Sequence, residues 1–297
     1  MRYTGRRNRR LRQAGSACLV LLTCFALWCA WGIWRSYHYP VVKTWTADLP
    51  RLDGPVRIAV LSDLHDRAFG GNHRQLADLL ASAGPDLILL DGDMLNEDSE
   101  DAHVPVTLVR ELVKIAPVYY AKGNHEETYM QAGHEELIGE LQDAGAVYLD
   151  QEYVDVQVHG ETIRIGGLYA YAFGLDGNDS AEAVDPEIRE FLEAYQDTDH
   201  LCVMLSHRPD SFIFGDASSV WKVDLVISGH NHGGQVVLPF LGGVFGGDQG
   251  YFPKYIHGMY QKDQMQIFAT SGLGSHSEKL PRMNNIPEIA VIELESQ

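Results

Sequence analysis

Residues of the types that bind metal ions follow five short apolar runs of this sequence. The runs span residues 57–61, 87–90, 118–121, 201–205 and 224–227. They predict buried strands, because they are rich in Val, Ile and Leu and are closed by turn residues. In α/β folds, ligands bind beyond the carboxyl ends of the strands, so the side chains that follow these runs are candidates for one metal centre. These side chains are Asp63, His65, Asp93, Asn124, His125, His207, His230 and His232.

The chemistry of this set favours a centre with two metal ions. A carboxylate has two oxygens and can bridge two cations, which suits Asp93, a lone acid between two groups of candidate ligands. Asn124 offers a neutral oxygen, the histidines offer nitrogen, and no Cys contributes, so the set favours Mn²⁺, Fe, Zn²⁺ or Co²⁺ over thiolate-selective metals. Two ions roughly 3.5–4 Å apart can lower the pKa of a bridging water and stabilise an in-line displacement at phosphorus.

The same blocks resemble those of the calcineurin-like metallophosphoesterase superfamily. They are Asp63-x-His65, Gly92-Asp93, Gly123-Asn124-His125-Glu126, His207 and Gly229-His230-x-His232. The membrane-anchored bacterial members of the superfamily resemble this chain further, in residues 62–65, 229–235, 271–274 and 287–289. The similarity extends over residues 56–294, which is nearly all of the chain beyond its N-terminal segment.

The resemblance implies a role for each candidate residue. Asp63, His65, Asp93 and His232 would bind one ion, and Asp93, Asn124, His207 and His230 would bind the other, with Asp93 as the bridge. His125 would contact the phosphoryl group as general acid or transition-state stabiliser, and a metal-bridging hydroxide would be the nucleophile. We expect two divalent ions as cofactors, with Mn²⁺ favoured and Fe, Zn²⁺ or Co²⁺ as alternatives. Glu126, which stands where the family more often has Asp, is not an implied ligand.

Alternating strand and helix patterns indicate which elements position these residues. Apolar periodicity predicts helices at 73–83, 106–116, 135–144 and 186–195. Residues 154–158 and 162–168 predict a hairpin, and a final pair of strands is expected at 266–270 and 289–294. We expect one α/β domain in which helices cover sheets that pack together. The resemblance makes this a two-sheet β-sandwich flanked by helices, preceded by one transmembrane helix.

The N-terminal segment predicts that helix. Residues 15–34 are 20 uncharged, mostly apolar residues, enough at about 1.5 Å per residue to cross a bilayer core of roughly 30 Å. Six arginines precede the segment, and Arg35 and Lys43 follow it. The positive-inside rule therefore places the N-terminus in the cytoplasm and the main domain outside it. A cleaved signal peptide is the alternative, but no small-x-small cleavage site follows the apolar run, which is also long for a signal peptide.

These patterns divide the chain into four parts. They are a basic cytoplasmic tail (1–14), a transmembrane anchor (15–34), a linker with a candidate first strand (35–55) and the metallophosphoesterase domain (56–297). The localisation expected is the cell membrane, with a single span and an extracytoplasmic catalytic domain.

Charge and cysteine content narrow the class of protein. Seven of the 23 basic residues lie in the first 35 positions, so the other 262 residues carry 16 basic and 41 acidic side chains, a formal charge of −25. Such a surface repels polyanions, and we expect no nucleic-acid binding. Cys202 is the only cysteine outside the N-terminal segment, which predicts a small core residue in its strand and excludes a disulfide within the domain.

The reaction expected is hydrolysis of a phosphodiester, a pyrophosphate or a phosphomonoester. Anchoring beside lipid favours a lipid-linked or envelope-derived phosphate ester, by proximity alone. Two alternatives stay open. The domain could be a catalytically inactive metal-binding or scaffold module of the cell envelope, or mainly a structural partner in an envelope complex. The sequence leaves the oligomeric state open.

Several residues outside the blocks have weaker expectations. His276 is expected in a solvent-facing loop, and Arg282 is a candidate to reach the substrate phosphate. The Gly- and aromatic-rich segment 239–260 could shape the pocket, touch lipid or be a long connection. Six other histidines are expected at the surface, namely His73, His103, His134, His159, His200 and His257.

Overall fold

The computed structural model describes residues 2–49, 52, 54–169, 180–276 and 280–295. Residue 1 of the predicted tail and residues 50, 51 and 53 of the predicted linker lie outside the described residues. So do residues 170–179, 277–279 and 296–297 of the predicted domain.

Helices and strands alternate along the described chain. The α-helices are α1 (Arg2–His38), α2 (Arg74–Ala83), α3 (His103–Leu112), α4 (Asn124–Gln131), α5 (Leu137–Asp143), α6 (Pro186–Gln196), α7 (Asp210–Ile213) and α8 (Ala217–Val220). The strands are β1 (Val41–Asp48), β2 (Val56–Leu61), β3 (Leu87–Asp91), β4 (Val118–Ala121), β5 (Val147–Tyr148), β6 (Glu152–Val158), β7 (Glu161–Gly167), β8 (Leu201–Leu205), β9 (Leu225–Ser228), β10 (Val237–Leu238), β11 (Gly242–Gly243), β12 (Phe245–Gly246), β13 (Gly250–Tyr251), β14 (Gly258–Lys262), β15 (Met265–Ala269) and β16 (Glu288–Glu295).

Most strands belong to two six-stranded sheets. The first sheet has the order β1-β16-β2-β3-β4-β5 and the second has the order β14-β15-β9-β8-β7-β6. In the first sheet, β2, β3, β4 and β5 are parallel neighbours. In the second, β7, β8, β9 and β15 are parallel. Parallel neighbours bring their carboxyl ends to one edge, which is where ligands bind in such sheets.

Three layers of apolar side chains hold the sheets and helices together. The two sheets pack face to face through a shared core, in which Ile58 and Leu89 of the first meet Val203 and Ile227 of the second. Helices α2, α3 and α5 cover the outer face of the first sheet, and α6 lies with α7 and α8 on the outer face of the second. This confirms the predicted two-sheet sandwich flanked by helices.

The N-terminal helix extends beyond its predicted boundaries, and a first strand lies within the segment where one was expected. Of the described residues, one helix is long and apolar enough to cross a membrane, from Leu11 to His38. Residues 41–48, inside the segment predicted as a linker with a candidate first strand, form β1, which pairs in parallel with β16 over its full length. The first sheet therefore includes residues that precede position 56.

Other differences from the sequence patterns have local causes. Both strands of the predicted final pair are present, but they lie in different sheets: β15 lies between β14 and β9, and β16 lies between β1 and β2. Helix α4 was missed because its residues are polar and only Glu126 and Tyr129 are buried, so it has no apolar stripe. Segment 239–260 contains the short hairpins β10–β11 and β12–β13.

Candidate metal centre

The predicted ligands lie where the carboxyl ends of the two sheets meet. On the first sheet, Asp63 and His65 follow β2, Asp93 follows β3, and Asn124 begins α4 directly after β4. On the second sheet, His207 follows β8, and His230 and His232 follow β9. The sheets join at this edge, since the backbone N–H of His230 donates to Asp63 Oδ1 at 3.0 Å. One sandwich edge thus collects residues that are far apart in the chain.

The side chains form groups with the spacing that a metal ion requires. One group is Asp63, His65 and His232, and another is Asp93, His207 and His230; in each, the candidate ligand atoms lie within 4.8 Å of one another. The structure therefore offers two neighbouring three-residue groups. His65 and His232 belong to the first group, and His207 and His230 belong to the second.

Asp93 and Asn124 lie between or beside these groups. Asp93 also groups with His65 and His125, which places its carboxylate against both sets of ligands. The Asn124 Oδ1 atom is buried and has no hydrogen-bond partner among the described residues. A buried polar oxygen without a partner is destabilising unless it binds a cation or another donor, so its environment fits a metal ligand.

Backbone strain is concentrated in these loops. Five of the seven predicted ligands have a positive φ of 45–64°, in the left-handed region that residues with a side chain rarely adopt: Asp63, His65, Asp93, His230 and His232. Each such residue costs about 1–3 kcal/mol and persists only where surrounding contacts impose it. Here the loops after β2 and β3 impose it, because Asp63 N donates to Gly92 O and His65 N donates to Asp93 O, both at 3.0 Å.

Two glycines allow the loops to approach this closely. A Cβ atom on Gly123 would lie 2.2 Å from Asp93 Oδ1. A Cβ on Gly92, which has a φ of 68°, would lie 2.5 Å from Gly123 N and 2.8 Å from His207 Nδ1. Any larger residue at these positions would displace Asp93 or His207, so the Gly-Asp and Gly-Asn-His blocks need their glycines for contact.

Hydrogen bonds orient two of the histidines toward Asp93. His207 Nδ1 donates to the Asp91 carbonyl at 2.7 Å, and His65 Nδ1 lies 3.1 Å from Asn96 Oδ1. The Asn96 oxygen faces His65 because its amide nitrogen donates to Asp66. With the proton on Nδ1, the Nε2 atom of each ring is free to ligate. The Nε2 atoms lie 3.0 Å (His207) and 4.0 Å (His65) from Asp93 Oδ2.

His125 has the opposite orientation. Its Nδ1 accepts a hydrogen bond from the backbone N–H of Glu97 at 3.1 Å, which leaves the proton of the neutral ring on Nε2. That Nε2 lies 3.9 Å from Asp93 Oδ2, and the ring is 12% exposed. His125 lines the pocket together with Asp93, His230 and His232 of the two groups. The other lining residues are Asn124, Gln235, Phe245 and Gly247. His125 therefore presents a proton to the pocket, whereas His65 and His207 direct toward Asp93 the Nε2 atoms that can ligate a metal.

The electrostatics of the site suit a bound cation. Burial raises the pKa of Asp63 to about 6, against the opposing effect of His207. Burial also lowers the pKa of His65 to about 3. Although burial opposes both shifts, the contact between His207 and Asp93 raises the pKa of His207 and lowers that of Asp93 well beyond their usual ranges. A divalent ion would replace the buried proton of this pair, so the donor set fits a metal.

Glu126 supports the site in a way that sequence reasoning missed. Its buried carboxylate accepts from Asp93 N at 2.8 Å, Met94 N at 2.7 Å, Gly123 N at 2.8 Å and the Tyr120 hydroxyl at 2.7 Å. It thereby connects the Asp93 loop to the start of α4. The available signal was its position as third residue of a helix after Gly123, where acids accept from the first N–H groups.

Arg282 and three histidines differ from expectation. Arg282 is fully buried, and its guanidinium donates to the carbonyls of Gly272, Gly274 and Asn285, so it holds loops together and does not face substrate. His276 is half-buried, with its ring 6.4 Å from that of His65 and 5.9 Å from that of His125. His73 is buried, and His257 lies 2.6 Å from the buried carboxylate of Glu288. Sequence gives no sign of such tertiary burial.

Comparisons with known proteins agree on the family. Residues 56–234 match the model of the calcineurin-like phosphoesterase family. An uncharacterized metallophosphoesterase of Bacillus subtilis, YkuE, is 31% identical over 71% of this chain and 68% of its own length. Phosphodiesterase YaeI of Escherichia coli is 29% identical over 81% of this chain and 82% of its own length.

A protein of Caenorhabditis elegans whose name includes metallophosphoesterase is 28% identical over 71% of this chain, and the match spans only 44% of its length. The family model covers more than half of the chain and contains every predicted ligand. The chain therefore belongs to the calcineurin-like phosphoesterase family.

Proposed function

We propose that this protein is a metal-dependent phosphoesterase that uses two divalent ions. The observation that carries the proposal is the pair of buried Asp–His groups that meet at Asp93, with the protonated Nε2 of His125 beside them. A purely structural site would not require a buried Asn124 Oδ1 without a hydrogen-bond partner among the described residues, together with a directed proton donor. The phosphodiesterase name of the Escherichia coli relative supports a phosphodiester as substrate, with a pyrophosphate or phosphomonoester as the alternatives.

The proposed ligand sets follow the two groups. Asp63, His65, Asp93 and His232 would hold one ion. Asp93, Asn124, His207 and His230 would hold the second, with Asp93 shared. When bound, the ions supply Lewis-acid polarisation of the phosphoryl oxygens and a water acidic enough to be the nucleophile near neutral pH. The all-N/O set favours Mn²⁺, with Fe, Zn²⁺ or Co²⁺ as alternatives.

His125 supplies the proton. Because Glu97 N–H occupies Nδ1, the ring can donate only through Nε2. It can thus stabilise charge on a phosphoryl oxygen or protonate the leaving alkoxide. Asp93 Oδ1 accepts from the His125 backbone N–H at 2.9 Å, so the carboxylate proposed to bridge the ions also fixes the position of the proton donor.

The proposed location is a membrane, with the metal centre on the extracytoplasmic side. Support comes from the apolar part of α1 and from the six arginines that precede it. Protease treatment of intact cells should degrade the part of the chain that follows residue 38. Protection of that part in intact cells, with cleavage after lysis, would reverse the orientation.

The activity is tested on the full-length chain in detergent or nanodiscs, with bis(p-nitrophenyl) phosphate and p-nitrophenyl phosphate as probes. We expect Mn²⁺-dependent turnover that a chelator abolishes. Asp93→Ala and His125→Ala should each lower kcat/KM at least about 100-fold. The matched control is His103→Ala, since His103 is an exposed histidine outside the site. Equal loss in all three variants, or no loss in any, would contradict the assignment.

The second candidate function is a catalytically inactive metal-binding or scaffold module of the envelope. It predicts a different result in the same experiment. Metal would bind and stabilise the fold, but neither ester would be hydrolysed, and His125→Ala would leave every measurable property unchanged.

A further inference from the structure

The C-terminal end of α1 forms hydrogen bonds with a loop next to the metal centre. Asn284 N donates to Gly32 O at 3.2 Å, Asn285 N to Ser36 Oγ at 3.0 Å, and Arg282 N to the Tyr37 hydroxyl at 3.0 Å. Ser36 is fully buried, and a Cβ on Gly32 would lie 2.3 Å from Asn284 Oδ1. Such contact leaves no room for a flexible linker between helix and domain.

A second loop holds the same helix end. The Arg67 guanidinium donates to the Tyr37 carbonyl and lies over the Tyr37 ring, 4.8 Å from its centre. Arg67 follows the predicted ligands Asp63 and His65 in one loop. Asn285, on the other loop, donates its side-chain amide to the carbonyl of His232. The direction of α1 therefore fixes the direction in which the metal centre faces.

The base of the β10–β11 hairpin lies beside the C-terminal part of α1. Residues 282–285 contact α1 between Gly32 and Tyr37. Val236, directly before β10, bridges Met283 in parallel, so the hairpin starts next to this contact. Residues 239–241 form the turn at the tip of the hairpin.

The tip and its neighbour expose large apolar side chains on an acidic protein. Phe240 is fully exposed, and Leu241, Tyr251 and Phe252 are 67%, 64% and 62% exposed. We call these four residues the tip surface. Residues 239–252 contain one charged residue, whereas the chain beyond position 35 has a formal charge of −25. An uncharged apolar patch of this kind on a soluble domain marks a contact with another molecule or with lipid.

The tip surface continues to the mouth of the metal centre. Phe245 pairs with Tyr251 across β12 and β13, with ring centres 5.3 Å apart, and Phe245 lines the pocket beside Asp93 and His125. The exposed aromatic residues Trp31 and Trp34 of α1 flank Gly32, which accepts a hydrogen bond from Asn284 N. Aromatic residues at the end of an apolar helix favour the membrane–water interface.

We propose that the tip surface enters the bilayer beside α1 and holds the mouth of the metal centre against the lipid surface. The substrate is then a phosphate ester in the headgroup of a membrane lipid, which reaches the site without leaving the bilayer. The second half of this inference rests on the proposed phosphoesterase function. The first half, the membrane contact, does not.

The membrane contact is tested by photolabelling. The full-length chain is placed in phosphatidylcholine nanodiscs that contain a lipid with a diazirine in its acyl chain, and labelled peptides are identified by mass spectrometry. We expect adducts on α1 and on residues 236–253. Phe240→Asp/Leu241→Asp should lower the hairpin adducts at least about tenfold and leave those on α1. Val220→Asp, at an exposed apolar residue of α8, is the matched control and should change neither. Wild-type adducts on α1 alone would overturn the contact.

The substrate class is tested with the same variants in nanodiscs. The probes are dioleoyl phosphatidylglycerol, dioleoyl phosphatidic acid and soluble bis(p-nitrophenyl) phosphate. We expect hydrolysis of at least one lipid ester, a loss of at least about tenfold in Phe240→Asp/Leu241→Asp, and no more than a twofold change with the soluble ester. Hydrolysis of the soluble ester alone would overturn the lipid substrate. Inactivity on every ester would refute the proposed function, and photolabelling would still decide the membrane contact.

Discussion

Replacing Glu126 by Gln tests how the Asp93 loop is held. Glu126 is fully buried and its two oxygens accept four hydrogen bonds. Oε1 accepts from Met94 N and the Tyr120 hydroxyl, both at 2.7 Å. Oε2 accepts from Asp93 N and Gly123 N, both at 2.8 Å. Glutamine has the same shape but only one acceptor oxygen, so the substitution changes hydrogen bonding with little change in packing.

The expected loss in the free energy of unfolding depends on where the NH₂ group of the new side chain can lie. On the Oε2 side it would face two N–H groups. On the Oε1 side it faces Met94 N–H and a hydroxyl that can rotate to accept, so this orientation leaves one buried N–H unsatisfied. An unsatisfied buried donor costs about 1–3 kcal/mol, and the remaining bonds lose their charge-assisted strength. We therefore expect Glu126→Gln to lower the free energy of unfolding by roughly 2–5 kcal/mol.

Denaturant unfolding of the full-length protein measures this loss, with metal content and kcat/KM for a soluble ester measured on the same samples. Tyr120→Phe is the control, because it removes one of the four donors and leaves the carboxylate; it should cost about 1 kcal/mol. Glu126→Gln should also weaken metal binding, since Asp93 shares its loop. A Glu126→Gln protein with wild-type stability and turnover would refute the reasoning.

Two further predictions concern residues around the site. Gly123→Ala should lower turnover at least about 100-fold and weaken Mn²⁺ binding, because the added Cβ would lie 2.2 Å from Asp93 Oδ1. The control is Gly139→Ala, which should change neither property, since its added Cβ would meet nothing within 4 Å. Burial raises the pKa of Glu288, but the hydrogen bond from His257 and the charge of Lys43 outweigh burial and lower this pKa from 4.5 to about 2. The carboxylate therefore stabilises the fold above pH 4.5 and loses this effect as pH falls toward 2. At pH 7 the free energy of unfolding of the wild type should exceed that of the Glu288→Gln variant by about 3 kcal/mol. This difference should shrink below pH 4.5, and a difference that does not change with pH would contradict the prediction.

The candidate site could be predicted from the sequence because its parts are local. Each block is a strand end followed by ligand residues, and both signals, apolar runs and residue types, lie within about ten positions. The sandwich edge then brings the blocks together, as the carboxyl ends of parallel strands require. The proton position on His125 could not be predicted, since it depends on the backbone N–H of Glu97, which is distant in the sequence.

The parts that sequence missed depend on tertiary contacts. Arg282 has the charge of a phosphate ligand, yet its guanidinium donates to four backbone carbonyl groups in the interior. Helix α4 has no apolar stripe, because Glu126 and Tyr129 are the residues it buries. The contact between α1 and residues 282–285 joins segments about 250 residues apart. No pattern within either segment indicates such a pairing.

The most direct test of the two-metal account is a titration of the metal-stripped, full-length protein with Mn²⁺ while hydrolysis of bis(p-nitrophenyl) phosphate is followed. The account predicts no turnover without metal and full turnover at two bound ions per chain. It also predicts that Asp93→Asn, which removes the shared carboxylate, binds less metal and stays inactive at the same total Mn²⁺. Full turnover of the stripped protein in the presence of chelator would contradict it.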